Sequence, residues 1–392
     1  MEANKRTKKA VSLESIVFLA VMGGITWYLA STFGMIKMIN TAMNTAYSLL
    51  METVLYIMAI TTVTGGIAGL LTEFGVISLA NKLLNPLMKP IYGLPGASAI
   101  GVMSTYLSDN PAILTLAEDS SYKRYFKKFQ LPALTNLGTA FGMGLIVTVF
   151  VSAIPDPLGR TFVPAAIIGN LGAICGSIVS VRIMLRFTGK AYGVSAMPDL
   201  SAQDDTGMDF ENIRVIRSGS IFDRMLSAAL DGGQEGVKVG LSIIPGVLII
   251  CTFVLMLTNG PGEAGVYTGG AYEGVGLLPK IGDKLSFLLT PLFGFRDAAA
   301  VAVPITALGA AGAAIGLIPG MVSAGQVSYN EIAVLTAMCM CWSGYLSTHA
   351  AMMSALGYQE MTGKAIFSHT IGGLFAGISA HWLYVLYAAL FH

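Results

Sequence analysis

Charge is what this 392-residue sequence has least of: 11% of its side chains are Asp, Glu, Lys or Arg, against about 25% in a soluble domain. So thin a charged surface excludes a soluble globular protein. The 54% of apolar residues fall in runs that approach or exceed the ~20 residues needed to cross a hydrocarbon core. Formal net charge is +1, without the basic excess that nucleic-acid binding requires. Cysteine is scarce as well. Its four copies, Cys175, Cys251, Cys339 and Cys341, lie inside apolar stretches, with neither a disulfide framework nor zinc-ribbon spacing. No glycine-rich phosphate loop, nucleophile elbow or His-Glu zinc motif occurs, so an enzyme is not expected. The expectation is an all-α integral membrane protein of the bacterial cytoplasmic membrane.

What the sequence does contain is a repetition. Pro90-Ile91-Tyr92-Gly93 and Pro291-Leu292-Phe293-Gly294 are near copies at an offset of 201 residues, and the likeness runs on through 102 and 303. Each copy precedes a broken apolar stretch: 96–118, interrupted by Ser108-Asp109-Asn110-Pro111, and 297–320, with Gly309, Gly312 and Gly316 at its centre. Paired interrupted segments in corresponding halves point to a secondary transporter's binding site. Around them the apolar pattern predicts helices over 11–33, 47–71, 131–153, 162–185, 237–257, 332–356 and 365–390. A polar connector is expected at 37–46, and amphipathic pieces at 75–94, broken by Pro86 and Pro90, and at 285–295. Four regions follow: a basic tail with an extra helix (1–46), a first repeat (47–187), a cytoplasmic linker (188–226) and a second repeat (227–392).

Charge asymmetry orients this pattern. If both broken stretches turn back as re-entrant hairpins, 17 Lys and Arg fall inside and five outside, with Lys123, Arg124, Lys127 and Lys128 kept in the cytoplasm. The positive-inside rule favours that arrangement. It predicts seven spanning helices and two re-entrant hairpins in two inverted repeats, with the N-terminus cytoplasmic and the C-terminus outside.

Residues able to carry chemistry are few. Ser108, Asp109 and Asn110 stand at a hairpin tip, where an ionisable side chain within the membrane costs at least about 2.5–3.5 kcal/mol. Asp109 and Asn110 also suit a helix cap, with Pro111 in the first turn. The second tip, Gly309 to Gly312, can offer backbone groups alone. Ser343, Ser347, Thr348 and His349 share the penultimate helix, the two serines on one face. His349 suits a proton-coupling or solute-contacting role as well as a packed core position. Asn136 and Asn170, with Ser368-His369 on the last helix, serve equally as interhelical bonds or as ligands. Met338-Cys339-Met340-Cys341 has soft-metal donors, but residues two apart face nearly opposite ways on a helix, so no metal site is expected.

The twice-repeated order of amphipathic helix, Pro-Ile-Tyr-Gly or Pro-Leu-Phe-Gly corner, hairpin and two helices resembles the nucleoside-recognition, or gate-domain, membrane proteins. These are similar in architecture to the concentrative nucleoside transporters. In those transporters a Gln-Thr-Glu-Ala-Pro-like tip contacts the solute; here Ser108-Asp109-Asn110-Pro111-Ala112 stands in that place, alike in acid, amide and proline content. The resemblance implies a transporter of a small polar solute, coupled to Na⁺ or H⁺ and assembled as a dimer or trimer. A non-transporting assembly protein and a divalent-metal permease are the alternatives.

Overall fold

The computed structural model describes residues 11–118, 120–156, 159–200, 207–262 and 265–391; the side chains of Pro111, Leu114, Thr115, Glu118 and Ser347 lie outside the described set. Regular structure among them is helical throughout. In chain order the helices are α1 (Leu13–Phe33), α2 (Met35–Ser48), α3 (Leu55–Glu73), α4 (Val76–Tyr92), α5 (Ser98–Leu107), α6 (Pro111–Glu118) and α7 (Ser120–Lys123). There follow α8 (Leu131–Thr139), α9 (Gly144–Ala153), α10 (Val163–Tyr192), α11 (Ile221–Ser242) and α12 (Thr252–Thr258). The chain continues through α13 (Leu277–Lys284), α14 (Ser286–Phe293), α15 (Ala302–Ala307) and α16 (Ala311–Ser323). It closes with α17 (Tyr329–Cys341), α18 (Tyr345–Ala355) and α19 (Thr362–Phe391). Among the described residues, six helices are long and apolar enough to cross a membrane, or seven if the pair 286–293 and 298–307, bent by 76°, counts as one span.

The echoed corners act as helix stops. Gly93 and Gly294 end α4 and α14 in the left-handed conformation, at φ 77° and 68°, which glycine adopts without a Cβ penalty. Each corner is then pinned by matching positions. Arg182 donates to Pro90 O and Ile91 O, and Gln130 Nε2 to Gly93 O at 3.0 Å. In the second half Asn330 Nδ2 donates to Phe293 O and Gly294 O, and Asn330 is held in turn by His381. The 201-residue likeness thus records one way, used twice in this chain, of ending a helix and turning into a hairpin.

Two helix pairs form the frame, both antiparallel and both through small residues. On α3 and α11, Gly65 meets Gly232, Gly69 meets Ala228, and Gly236 meets Thr61; a Cβ at Gly65 would stand 2.3 Å from Gly232 O. Between α10 and α19, Gly172 faces Ala376 and Ala380 while Gly372 faces Gly176 and Ser180. Each set is the other displaced by 200 residues. Lipid gives no hydrophobic drive between helices, so backbone approach at small residues supplies the packing contact. The described residues of α8 and nearly all of α17 are buried in the middle of the molecule.

Several expectations are corrected. The connector 37–46 is helical and runs through a π turn (Leu49–Val54) into α3. Pro86 and Pro90 lie within α4 rather than breaking it; both are exposed and four apart, so the bonds they forfeit fall on the open face. α11 begins at Ile221, inside the expected linker. The stretches 131–153 and 332–356 are not single helices: each breaks in the middle, at 140–143 and 342–344. Met143 and Gly344 take left-handed φ values of 56° and 59° there. An apolar run hides such breaks, although Gly138, Gly142 and Gly144 in one, and Ser343-Gly344 in the other, mark where they fall.

The rest of the linker ties one end of the molecule together. Lys128 pairs with Asp199 at 3.0 Å, and the Glu73 carboxylate receives Arg217 and Arg224 at 2.9 and 2.7 Å. Asn212's side-chain amide, then the N–H groups of Glu211 and Asn212, hold the Asp209 carboxyl below its usual range.

Candidate functional site

The first hairpin folds back on itself. Tyr122, at the foot of its returning arm, donates to Ala97 O at 3.1 Å, beside the start of α5. Gly101 lets the arms close, since a Cβ there would lie 2.6 Å from Ile113 Cδ1. At the tip, Ser108 is exposed and its hydroxyl donates back to Ser104 O at 2.6 Å. The half-buried Asp109 accepts the Asn110 N–H on Oδ1 at 2.7 Å.

Asn110 makes the decisive contact. Its Nδ2 donates to Ser343 O at 2.6 Å, across 233 residues of sequence and into the break between α17 and α18. Its Oδ1 is buried without a partner and lies against the other break, where a Cβ on Gly142 would stand 1.5 Å away. The second hairpin reaches the same place. Gly344 N–H donates to Ala307 O at 3.0 Å, and Gly309 O lies 3.2 Å from where a Gly344 Cβ would be. Both tips and both helix breaks therefore meet at 343–344.

Beneath this junction runs a buried polar chain. Asn136 Nδ2 donates to Ser180 Oγ and Ser368 Oγ, each at 2.9 Å. Ser180 Oγ lies 2.9 Å from His369 Nδ1, and His369 Nε2 bonds the Cys341 carbonyl. A carbonyl can only accept, so His369 carries its proton on Nε2 and takes the Ser180 hydroxyl on Nδ1. His349 lies beside it, ring centroids 4.6 Å apart, fully buried with both ring nitrogens unpartnered. Thr135 Oγ1, Asn136 Oδ1 and Trp342 Nε1 are also buried without partners. Native interiors hold few such atoms.

The expected site residues divide accordingly. Asn110, Ser343 and Gly309 are brought together; Asp109 flanks them; the Thr348 hydroxyl donates back to Gly344 O at 2.5 Å in the first turn after the break. The break also removes the uninterrupted helix on which Ser343 and Ser347 would share a face, and the Ser347 side chain lies outside the described residues. Asn136 and His349 belong to the polar chain. Asn170 is engaged elsewhere, accepting from Tyr106 at 3.0 Å and donating to Thr148 at 2.8 Å. Gly312 lies in α16 against Ile243, so the second tip is 308–310. Ser180 is the participant that sequence reasoning missed: one serine among the small residues of α10 carries no signal until α19 packs on it. No three His, Cys, Asp or Glu residues converge as metal ligands among the described residues.

A cavity of about 250 Å³ separates the α3–α11 pair from the first hairpin and is lined by Thr61, Thr64, Ser104, Ser108 and Glu235.

No family model matches the sequence. An uncharacterized protein of Alkalihalophilus pseudofirmus is 23% identical over 236 residues, 58% of this chain and 49% of that protein, so the chain spans about half the length of the curated relative it matches. Among solved structures, CNTnw in an inward-facing substrate-bound state is similar at a TM-score of 0.52 and 13% identity, covering 94% of this chain and 87% of that one. A doubly substituted CNTnw in an outward-facing state also gives 0.52, at 12% identity, 94% and 86% coverage. A singly substituted form in an intermediate state gives 0.51, at 12% identity, 95% and 85% coverage. This chain is an integral membrane protein with the fold seen in CNTnw, a concentrative nucleoside transporter.

Proposed function

We propose that this protein is a secondary active transporter of a small, polar, nucleoside-like solute, coupled to Na⁺ or H⁺ and working by alternating access. One observation carries the reading: both hairpin tips and both helix breaks converge at Ser343-Gly344, with Asn110 bonded across the halves. Discontinuous helices meeting between repeats build the sites of secondary transporters. Irregular backbone at membrane depth is tolerated where it is buried in protein or lines a wet cavity.

In this reading the halves are inverted repeats and the hairpins re-enter the membrane from opposite sides. The reciprocal α10–α19 contacts support the pseudo-two-fold relation. The ion pairs at Glu73 and Lys128 mark the cytoplasmic end, with the N-terminus cytoplasmic, the C-terminus outside and the whole assembled as a dimer or trimer. Asp109 and Asn110 face the solute, and the unpartnered Asn110 Oδ1 offers an oxygen ligand to a coupling cation beside Gly142. His349 contacts solute or carries the coupling proton. The cavity reaching Ser108 gives the tip a route to the cytoplasmic side.

The test is uptake into proteoliposomes of radiolabelled uridine, adenosine, a nucleobase and an amino acid, under imposed Na⁺ and proton gradients. Gradient-driven accumulation of a nucleoside is expected. No accumulation of any of them, with protein recovered bound to a membrane partner, returns the chain to the assembly class.

A further inference from the structure

The largest described cavity, about 790 Å³, is not at the tips. It lies between the π turn at 49–54, the loop after α12, α9 and the outer arm of the second hairpin. That volume falls within the range of small-molecule sites. Glu52 is the one charged side chain among its described lining residues, and no Lys, Arg or His joins it there. π turns inside α-helices occur frequently at functional sites, and this one carries the exposed Glu52 at the cavity lining. Glu52 stands 21 residues before Glu73, about 32 Å along a helix, close to one hydrocarbon thickness from the cytoplasmic ion pairs.

The wall opposite is set under strain. Tyr272 is one of two described non-glycine residues with a left-handed backbone, at φ 65°, a conformation that residues with a Cβ rarely adopt. It is held from both sides: its N–H donates to Thr45 Oγ1 at 2.8 Å and its carbonyl accepts from Asn259 Nδ2 at 2.7 Å. The result is a phenol hydroxyl 3.3 Å from the Glu52 carboxylate. Tyr56 and Phe150 add aromatic walls with ring centroids 5.9 Å apart.

We propose that this cavity is a vestibule that binds organic ammonium cations, a second site distinct from the hairpin tips. A carboxylate without a basic partner supplies the attraction, and the aromatic faces supply the cation–π contact that ammonium groups favour. A cleft lined by one sign of charge also concentrates counter-ions and raises their rate of arrival.

The test reads the cavity itself and needs no transport, so its outcome is separate from that of the uptake assay. Cysteine is introduced at Gln326, which lines the cavity, in the full reconstituted chain. Modification is followed by intact mass with a trimethylammonium methanethiosulfonate and a sulfonate one, against the chain without Gln326→Cys. Relative to free thiol, the ammonium reagent is expected to react roughly tenfold or more faster than the sulfonate. Glu52→Gln should bring the two rates together, and tetramethylammonium should protect better than equimolar Na⁺. An unchanged rate ratio in the Glu52→Gln form overturns the proposal. So does equal protection by the two ions, or an absence of modification by either reagent. Tyr272→Phe, which keeps the carboxylate, should retain the charge preference; its loss there would assign the effect to packing.

Discussion

The two hairpins are built alike and equipped differently. Each follows a helix stopped by a left-handed glycine, each returns its chain along a second arm, and each tip reaches 343–344. The first brings Asp109 and the buried Asn110 side chain; the second brings Leu308, Gly309 and Ala310 and bonds through backbone alone. The helices behind them repeat the contrast. Ser180 holds His369, whereas the positions 200 residues away are Ala380 and Gly169. Symmetric packing therefore carries an asymmetric set of polar groups. A fold needs only small residues where backbones cross, while a solute needs donors and acceptors on one side of its site.

That contrast can be broken at several points. The largest effect is expected at the tips. Asn110→Ala removes the bond to Ser343 and should lower uptake about fivefold or more, as losing a buried partner worth about 1–3 kcal/mol requires. Gly309→Ala should leave uptake within about twofold, since its Cβ would meet nothing closer than Ile250 Cδ1 at 3.2 Å. Uptake rates on matched proteoliposomes decide this.

Gly142→Ala is the next test. Its Cβ would fall 1.5 Å from Asn110 Oδ1 and 3.2 Å from Ser343 Oγ, so the first tip must shift. Overpacking of this kind costs about 1–3 kcal/mol, visible as a lower midpoint of thermal unfolding in detergent. Ser180→Ala comes third. It leaves His369 Nδ1 without its hydroxyl and should cost about 1 kcal/mol or somewhat more, again read from the unfolding midpoint.

The smallest effect concerns a loop that the first half lacks. Phe74 and Gly75 alone join α3 to α4, whereas residues 259–276 join α12 to α13. That loop is organised around Glu273, which is buried. Burial pushes its carboxyl up, but the hydroxyl and N–H of Thr268 and the N–H groups of Gly269 and Gly270 outweigh this and hold it below 4.5. A depressed folded value means stability that is present above the unfolded value and lost as pH falls through the folded one. Below about pH 4.5 the wild-type midpoint should therefore fall faster than that of Glu273→Gln.

Much of the architecture was legible in the sequence because it follows from composition and periodicity. Apolar length predicted most of the long helices, though 131–153 and 332–356 each break, and the Pro-x-x-Gly corners stand where α4 and α14 end, just before the paired shorter helices. The helix breaks at 140–143 and 342–344, at which only the glycines there hint, do not show in hydropathy, which is blind to backbone conformation inside an apolar run. They decide which candidates meet. Asn110 was legible as a polar residue at a tip, but its partner is a backbone carbonyl, which has no sequence signature. For Asn170 the sequence left an interhelical bond and a ligand equally open, and only the packing supplies its bonds to Tyr106 and Thr148. His349 could be singled out, whereas its setting beside His369 required the α18–α19 packing.

The most direct measurement of the central claim is gradient-driven uridine accumulation in proteoliposomes by the wild-type chain and by Asp109→Ala, at equal protein and orientation. The account predicts accumulation by the wild type and its loss in the variant, with an unfolding midpoint close to wild type because Asp109 bonds only its own tip. Full accumulation by Asp109→Ala would contradict it.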